Sequence, residues 1–199
     1  MWRDKKIGVV IVAGGSGSRM GATVPKQFLR LGEEPILAHT VRKFRPYADH
    51  IVVVLPADQR ELWQELAEEC GLVGTHTVCE GGATRYDSVK NGLSALGEGC
   101  DLVAIHDGVR PLVSAAMIER GLECANSGGS AIPTVGAVDS FRVQTKEGLK
   151  VIDRSLLRAV QTPQIFDMTL LRNAYRRDVE DSFTDDATVV EASGATLCY

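Results

Sequence analysis

The sequence predicts an α/β protein with a Rossmann-like, mainly parallel sheet flanked by helices. Short β-branched runs bounded by turns alternate with helical patterns, as expected for parallel strands joined by crossover helices. The 199 residues suit one domain, and the contents of 44% hydrophobic and 24% charged residues are ordinary for a globular protein. We therefore expect a single domain over residues 1–199.

Four segments are predicted as buried strands because they are short, apolar and rich in valine and isoleucine. They are IGVVIV (7–12), HIVVVL (50–55), HTVC (76–79) and DLVAIH (101–106). Helices are predicted between these strands over 35–44, 58–71 and 84–97. Asp58 and Ser114 are candidate N-caps, and Gly71 suits the end of a helix.

A different pattern begins at residue 137. Two short β-like stretches flank the turn TKEG (145–148) within residues 137–166, which predicts an antiparallel hairpin inserted into the parallel-sheet protein. We assign residues 137–160 to a protruding hairpin arm. Because an isolated hairpin is marginal in water, we expect the arm to pack on another surface. Helices over 169–181 and 184–194 and a strand over 195–199 are predicted to follow.

Charge and cysteine content exclude several classes of protein. The net charge of −4 argues against a nucleic-acid partner, yet residues 1–30 carry six basic side chains and one acidic one, a local +5 that suggests a small anionic ligand. Five scattered cysteines without zinc-like spacing indicate thiols in a reducing compartment. The apolar run 7–13 is too short for a signal peptide or a membrane span, so we expect a cytoplasmic protein without a membrane partner.

The first predicted strand leads into the glycine-rich stretch VAGGSGSRMGATVPKQF (12–28). Gly15 and Gly17 fit a dinucleotide-binding motif, but Met20 stands where its third glycine belongs, and a P-loop is also excluded. The remaining interpretation is a loop whose backbone N–H groups face an anion, followed by two cations, Arg19 and Lys26. The alternative is that Arg19 is a surface residue and Lys26 flanks a strand.

Two further polar loops follow strands: EGGATRYDSV (80–89), and AIHDGVRP (104–111) with Asp107 at the strand end. Ligands bind beyond the carboxyl ends of parallel strands, so the three loops are expected to converge on one edge. A nucleoside fits between glycine loops because no Cβ blocks the backbone. Asp107 can orient Mg²⁺ or pair with a neighbouring arginine, and His106 is expected to be packed rather than to act as a base.

The stretches VAGGSGSRMGATVPKQF, GGATRYDSV, HDGVRP, VDSFRV, VIDRSLLRAVQTPQIF and TDDATVVEASG occur in this order. Together they resemble the 2-C-methyl-D-erythritol 4-phosphate cytidylyltransferase family over nearly the whole chain. The resemblance implies a CTP-dependent nucleotidyltransferase of the non-mevalonate isoprenoid precursor pathway. It also implies Mg²⁺ or another divalent cation as cofactor, and a homodimer in which each arm reaches over the neighbouring subunit.

The resemblance also implies roles for individual residues. Arg19, Lys26 and Arg154 would be catalytic, the first two by stabilising charge at the α-phosphate. CTP would be bound by residues of the three loops: Ala13, Gly14, Gly15, Gly17, Gly81, Gly82, Ser88 and Asp107. Asp107 would also hold the metal, directly or through water. The methylerythritol phosphate would be bound by Arg110, Asp139, Ser140, Arg142, Arg154, Thr162 and Thr184.

Two alternatives to this function stay open. A cytidylyltransferase for another polyol phosphate, such as ribitol 5-phosphate, would share the CTP loops, but the pair Asp153–Arg154 favours methylerythritol phosphate. A CTP-binding homologue without turnover is the second alternative. It arises because family members continue beyond the position of Tyr199 with a segment that carries an Asn-Ile-Lys motif, so a chain that ended here is expected to be impaired.

Overall fold

The computed structural model describes residues 1–14, 24–180 and 182–199. The strands in these ranges are β1 (Ile7–Val12), β2 (Arg30–Leu31), β3 (Glu34–Pro35), β4 (His50–Leu55), β5 (Thr77–Glu80), β6 (Leu102–Asp107), β7 (Ser130–Ala131), β8 (Thr134–Gly136), β9 (Arg142–Thr145), β10 (Gly148–Val151), β11 (Arg158–Val160) and β12 (Gln164–Asp167). The α-helices are α1 (Ile36–Phe44), α2 (Arg60–Glu69), α3 (Arg85–Leu96), α4 (Ala115–Gly128), α5 (Met168–Ala174) and α6 (Asp186–Ala192).

The central sheet has six strands in the order β5-β4-β1-β6-β12-β7. Strands β5, β4, β1 and β6 pair in parallel, whereas β12 runs antiparallel to both β6 and β7. The predicted mainly parallel sheet is therefore confirmed, and its four predicted strands are found within one residue of the expected bounds. The parallel arrangement places the ends of β1, β5 and β6 at one edge of the sheet.

Both faces of the sheet are covered by helices. In β1 the alternating side chains divide between two cores: Val9 and Ile11 pack with α1, α2 and α4, whereas Val10 packs with α3, α5 and α6. All three valine and isoleucine side chains are fully buried. Such two-sided burial explains why the strand sequences are continuously apolar rather than alternating.

Helix ends follow the capping signals in part. Ser114 caps α4 by accepting a hydrogen bond from the N–H of Met117, as predicted, and Gly71 follows α2 with a φ of +64°. Asp58 as the N-cap of α2 is wrong. Pro56 precedes a 3₁₀ turn over Ala57–Gln59, so the α-helix begins only at Arg60 and Asp58 lies inside that turn.

The arm contains the predicted antiparallel hairpin, in which β9 pairs with β10 across residues 145–148. Its base is a second antiparallel ladder between β8 and β11, which the sequence did not indicate. Many apolar arm side chains are exposed, among them Val138 at 82% and Leu156 at 78%. Within one chain, therefore, the arm has little core of its own.

Two predictions for the last 35 residues are wrong. The helix expected over 169–181 ends at Ala174, because the charged residues that follow, such as Arg176 and Arg177, are exposed and offer no apolar face. Residues 195–199, all of which the structure describes, form no strand, although the N–H of Ile132 donates to the Cys198 carbonyl at 2.8 Å. Among the described residues, no helix is long and apolar enough to cross a membrane.

Candidate functional site

A pocket of about 390 Å³ lies at the edge where β1 and β6 end and α3 begins. Its lining comes from all three polar loops of the sequence analysis: Val12, Ala13, Gly14, Lys26, Gln27, Gly82, Ala83, Thr84, Arg85, Ser88, Asp107 and Val109. The structure thus brings the predicted loops together at one edge. Three of the predicted residues, Gly15, Gly17 and Arg19, lie outside the described part of the chain.

Lys26 stands at the rim of the pocket, exposed, at the start of a 3₁₀ turn that runs to Phe28. The next residue, Gln27, is buried and fixes this turn. Its Nε2 donates to the Ala13 carbonyl at 2.8 Å and to Gln59 Oε1 at 2.5 Å. Lys26 is therefore tied to the beginning of the glycine-rich stretch. Sequence reasoning missed Gln27; its only signal was a polar residue between Lys26 and a core phenylalanine.

The loop between β5 and α3 is packed too closely for side chains. A Cβ added to Gly82 would overlap the Asp87 side chain, and one on Gly81 would lie 3.0 Å from Ser88 Oγ. The Ser88 hydroxyl accepts from the Gly82 N–H at 3.1 Å and donates to the Thr84 carbonyl at 2.9 Å. Ser88 thus braces the glycine loop while it lines the pocket, and the loop presents backbone to a ligand.

Asp107 lies between two guanidinium groups at the floor of the pocket. Its Oδ2 accepts from Arg110 Nε at 2.8 Å, and its Oδ1 is 3.8 Å from Arg85 Nη2. Arg85 in turn donates to Asp186 Oδ2 at 2.7 Å. Burial disfavours the charged form of Arg85, but Asp186, which is fully buried, and Asp107 outweigh this effect and raise the pKa of Arg85. Sequence reasoning quoted Arg85 without assigning it a role.

His106 is fully buried and, as predicted, packed, with its ring against that of Phe44. Its Nε2 lies 3.1 Å from the Arg110 carbonyl, which can only accept, so Nε2 carries the proton and Nδ1 accepts from the Thr162 hydroxyl at 3.0 Å. Burial lowers the pKa of His106 to about 4, so the ring is neutral near pH 7. The Thr162 oxygen also accepts from the Asp107 N–H at 3.2 Å.

The residues expected to bind the polyol phosphate fall into two groups. Arg110, Thr162 and Thr184 belong to the body, where Arg110 Nη1 donates to Gln161 Oε1 at 2.6 Å and the Thr184 N–H donates to Thr188 Oγ1 at 3.2 Å. Four others lie in the arm: Asp139, Ser140, Arg142 and Arg154. Of the described residues that line the pocket, none comes from the arm of the same chain.

In the arm, Arg154 and Asp153 form hydrogen bonds with other residues of the arm. Arg154 begins a 3₁₀ turn and donates from Nη1 to the Val138 carbonyl at 2.5 Å, while Asp153 accepts from the Ser155 N–H at 2.9 Å. The first bond ties Arg154 to the segment between β8 and β9, and the second fixes the turn that Arg154 begins. The structure does not bring Arg154 and Lys26 into one site within a single chain.

Comparison with known proteins decides the family. The sequence profile described as "IspD: 2-C-methyl-D-erythritol 4-phosphate cytidylyltransferase" matches residues 7–197. The chain belongs to this IspD family. Two similar proteins of that name come from Phocaeicola vulgatus, 45% identical over 193 residues, and Bacteroides thetaiotaomicron, 46% identical over 194 residues. Each alignment covers 96% of this chain, and 87% and 88% of the respective relative.

Solved IspD structures share the fold. The cytidylyltransferase from Thermus thermophilus is 33% identical with a TM-score of 0.75, and the alignment covers 96% of this chain and 86% of that one. The 4-diphosphocytidyl-2C-methyl-D-erythritol synthase from Anaerococcus prevotii is 26% identical with a TM-score of 0.81, covering 96% and 83%. The IspD assignment thus rests on sequence and on fold together.

Proposed function

We propose that this chain performs the IspD reaction in the edge pocket. It transfers CMP from CTP to 2-C-methyl-D-erythritol 4-phosphate and yields 4-diphosphocytidyl-2-C-methyl-D-erythritol and pyrophosphate. The observation that carries the proposal is the convergence of Lys26, the Gly81–Gly82 loop and Asp107 on one pocket at the strand ends. The chain is accordingly a nucleotidyltransferase of the cytidylyltransferase type.

The chemistry suits a site made of cations. An oxygen of the acceptor phosphate attacks the α-phosphorus of CTP, the bond from that phosphorus to the bridging oxygen breaks, and pyrophosphate leaves with its electron pair. The attacking phosphate is already ionised near neutral pH, so no general base is required. The difficulty is the repulsion between two polyanions, and one cation about 4 Å from a phosphate charge gains about 4 kcal/mol at an effective dielectric constant of about 20. Lys26 and Arg19 supply such charges.

The described residues fit a divalent cation that is bound together with the nucleotide. They contain no group of three or more His, Cys, Asp or Glu side chains that could hold a metal alone. Mg²⁺ is commonly held by one or two carboxylates, waters and substrate phosphates, and Asp107 provides one carboxylate at the pocket floor. When bound, the ion would neutralise phosphate charge. Both Asp107 oxygens face guanidinium groups, which favours contact through water.

The base is assigned to the glycine loops. Backbone groups of the two loops can read the 4-amino group and N3 of cytosine. At Gly81 and Gly82 the carbonyl groups would accept from the 4-amino group, because the two N–H groups already donate to the Leu55 carbonyl and to Ser88 Oγ. Both positions differ in uracil. The loops therefore supply selectivity for CTP.

The acceptor site is proposed to be shared between two chains. Arg154 and its arm neighbours Asp139, Ser140 and Arg142 do not line the pocket of their own chain, yet the arm exposes apolar side chains that a second copy can cover. In a homodimer with twofold symmetry, each arm would bring Arg154 to the pocket of the neighbouring chain, beside that chain's Arg110, Thr162 and Thr184. We also place the enzyme in the cytoplasm, since five scattered cysteines without zinc-like spacing are typical of a protein in a reducing compartment.

The test is a pyrophosphate-release assay with CTP and two acceptors, methylerythritol phosphate and ribitol 5-phosphate. We expect release with the first at a much higher kcat/KM than with the second. A preference for ribitol 5-phosphate would overturn the acceptor assignment. Binding of CTP in calorimetry without pyrophosphate release with either acceptor would overturn the enzymatic function and support the CTP-binding homologue.

A further inference from the structure

We propose that Arg85 and Asp186 form a positioning pair for the IspD reaction: Asp186 holds Arg85 beside Asp107 Oδ1, on the side opposite Arg110, and the pair thereby fixes the orientation of the Asp107 carboxylate in the pocket lining. This inference rests on the proposed function, which gives Asp107 its place in the CTP site. Four observations carry the argument.

The first observation is the burial of Asp186. Its side chain is fully inaccessible to solvent, and both oxygens are occupied, Oδ2 by Arg85 at 2.7 Å and Oδ1 by the Tyr175 hydroxyl at 2.7 Å. Burial, reinforced by the charge of Asp186, raises the pKa of Tyr175, so the hydroxyl keeps its proton and remains a donor. Removing a carboxylate from water is costly and often adds little stability even when it is paired. A positional role explains the cost.

The second observation is where Arg85 stands. It is the first residue of α3, where the helix dipole favours negative rather than positive side chains. The capping box of Thr84 and Asp87 already satisfies that helix end. A cation is therefore not needed there for the helix, and its placement is accounted for by the carboxylates it faces.

The third observation is distance along the chain. Arg85 and Asp186 are 101 residues apart, and their bond joins the start of α3 to the start of α6. The start of α6 is fixed independently, because Gln164 Oε1 accepts from the Ala187 N–H at 2.8 Å. Asp186 is thus a rigid anchor that aims the guanidinium, and Arg85 lies in the pocket lining between that anchor and Asp107.

The fourth observation is the balance of charge. Two guanidinium groups, Arg85 and Arg110, face two carboxylates, Asp107 and Asp186, so this cluster adds no net charge to the pocket. Arg85 is thereby different from Lys26, whose ammonium is exposed at the rim. The cluster fixes the direction of Asp107 rather than attracting phosphate, and Arg85 acts through Asp107.

The test compares Arg85→Lys and Asp186→Asn with Tyr86→Phe as a matched control. Lysine keeps the charge but not the planar fork that can face two carboxylates. Tyr86→Phe removes a hydroxyl in the same region that donates to the Arg177 carbonyl at 2.7 Å and to the Tyr175 carbonyl at 3.1 Å. Both partners are backbone groups, so the change leaves every side chain of the two ion pairs in place. The readouts are kcat/KM for CTP, the Kd for CTP by calorimetry in EDTA and in Mg²⁺, and the thermal midpoint.

We expect both pair variants to weaken CTP binding and to lower kcat/KM by about tenfold or more, as loss of a charge-assisted contact does, whereas the control stays within about threefold. Equal losses of thermal stability in all three, with normal CTP binding in the folded protein, would overturn the positioning role and leave a structural one.

A double-mutant cycle distinguishes a failure of this inference from a failure of the proposed role of Asp107 in the CTP site. In an Asp107→Asn background, Arg85→Lys should cost nothing further, because Arg85 acts through Asp107. A full additional loss would show direct contact with the nucleotide and overturn the inference. If Asp107→Asn itself leaves CTP binding and turnover normal, the assignment of Asp107 under the proposed function fails instead.

Discussion

The edge pocket and the hairpin arm are opposite kinds of structure in one chain. Beneath the pocket, β1 carries Val9 and Ile11 with no exposed surface, and buried hydrogen bonds fix the neighbouring loops. In the arm, Val138, Val151 and Leu156 are each more than 70% exposed. The pocket is stabilised by its own chain. The arm is held by two short antiparallel ladders, and its apolar surface is exposed within the single chain.

This difference suggests a division of function. The proposed nucleotide site, which needs fixed geometry, lies at the rigid edge of the sheet. The residues proposed for the acceptor are divided between that edge and the arm, so the second substrate would be bound only where two chains meet. The following predictions test whether the two regions are as separate as the structure indicates.

The largest effect is expected at the pocket. Lys26→Ala should lower turnover by about 10²-fold or more, because it removes a cation from the reacting phosphate, and should change the Kd for CTP by less than about tenfold. Steady-state kinetics and calorimetry measure the two quantities. Near-normal turnover would identify Lys26 as a surface residue that flanks the pocket.

Subunit mixing tests the link between the regions. Lys26→Ala and Arg154→Ala are each expected to be nearly inactive alone. After exchange in a 1:1 mixture, half of the dimers are mixed, and one site in each inherits neither change, so activity should return to about one quarter of wild type. If Arg154 serves its own chain, no activity returns. Subunit exchange is verified with differently tagged chains.

Base selectivity should depend on the pocket alone. Uracil leaves backbone partners of the glycine loops unpaired, at about 1–3 kcal/mol each, so kcat/KM for CTP should exceed that for UTP by about tenfold or more. The same ratio should persist in Arg154→Ala when its residual activity is measured. Equal values for CTP and UTP would contradict the assignment of the base to these loops.

The smallest effect on the stability of a single chain is expected from a substitution in the arm. Leu156→Asp places a charge on a side chain that is 78% exposed. In urea titrations at protein concentrations low enough to keep both proteins monomeric, the free energy of unfolding should therefore change by less than about 0.5 kcal/mol. Dimerisation should weaken, as measured by sedimentation, because a charge would enter the proposed contact. An unchanged dimer would show that this part of the arm lies outside the interface.

Sequence patterns predicted the parallel core well because burial on both faces leaves continuous apolar runs, as in β1 and β4. The residues at which helices and strands begin and end were harder to predict from the sequence. Asp58 resembles an N-cap. Whether a 3₁₀ turn precedes the helix, however, depends on the backbone conformation at Pro56, directly after the strand. The segment 195–199 has strand-like composition, yet a strand requires a partner along its length, which no local pattern reveals.

Site residues that belong to local sequence motifs could be predicted. Those whose partners lie far away along the chain could not. Lys26, Gly82, Ser88 and Asp107 stand in recognisable loops and line the pocket. Gln27 and Asp186 were not assigned a role from the sequence, because their side-chain partners lie 11 or more residues away. The pairing of Arg85 with α6 depends on the packing of the whole helical layer and could only be read from the structure.

One glycine in the core, Gly92, bears on the width of the edge pocket. Helix α3 rests on the sheet at Gly92, where an added methyl group would lie 2.5 Å from Val10 Cγ1 and 2.9 Å from Val54 Cγ2. About 10 Å along the same helix, its first turn forms the wall of the pocket opposite β1. A larger residue at position 92 would push α3 away from the sheet and would move its first turn, which lines the pocket. The width of the proposed nucleotide pocket is therefore also set by a packing distance in the core, so substrate fit can change without a substitution at the site itself.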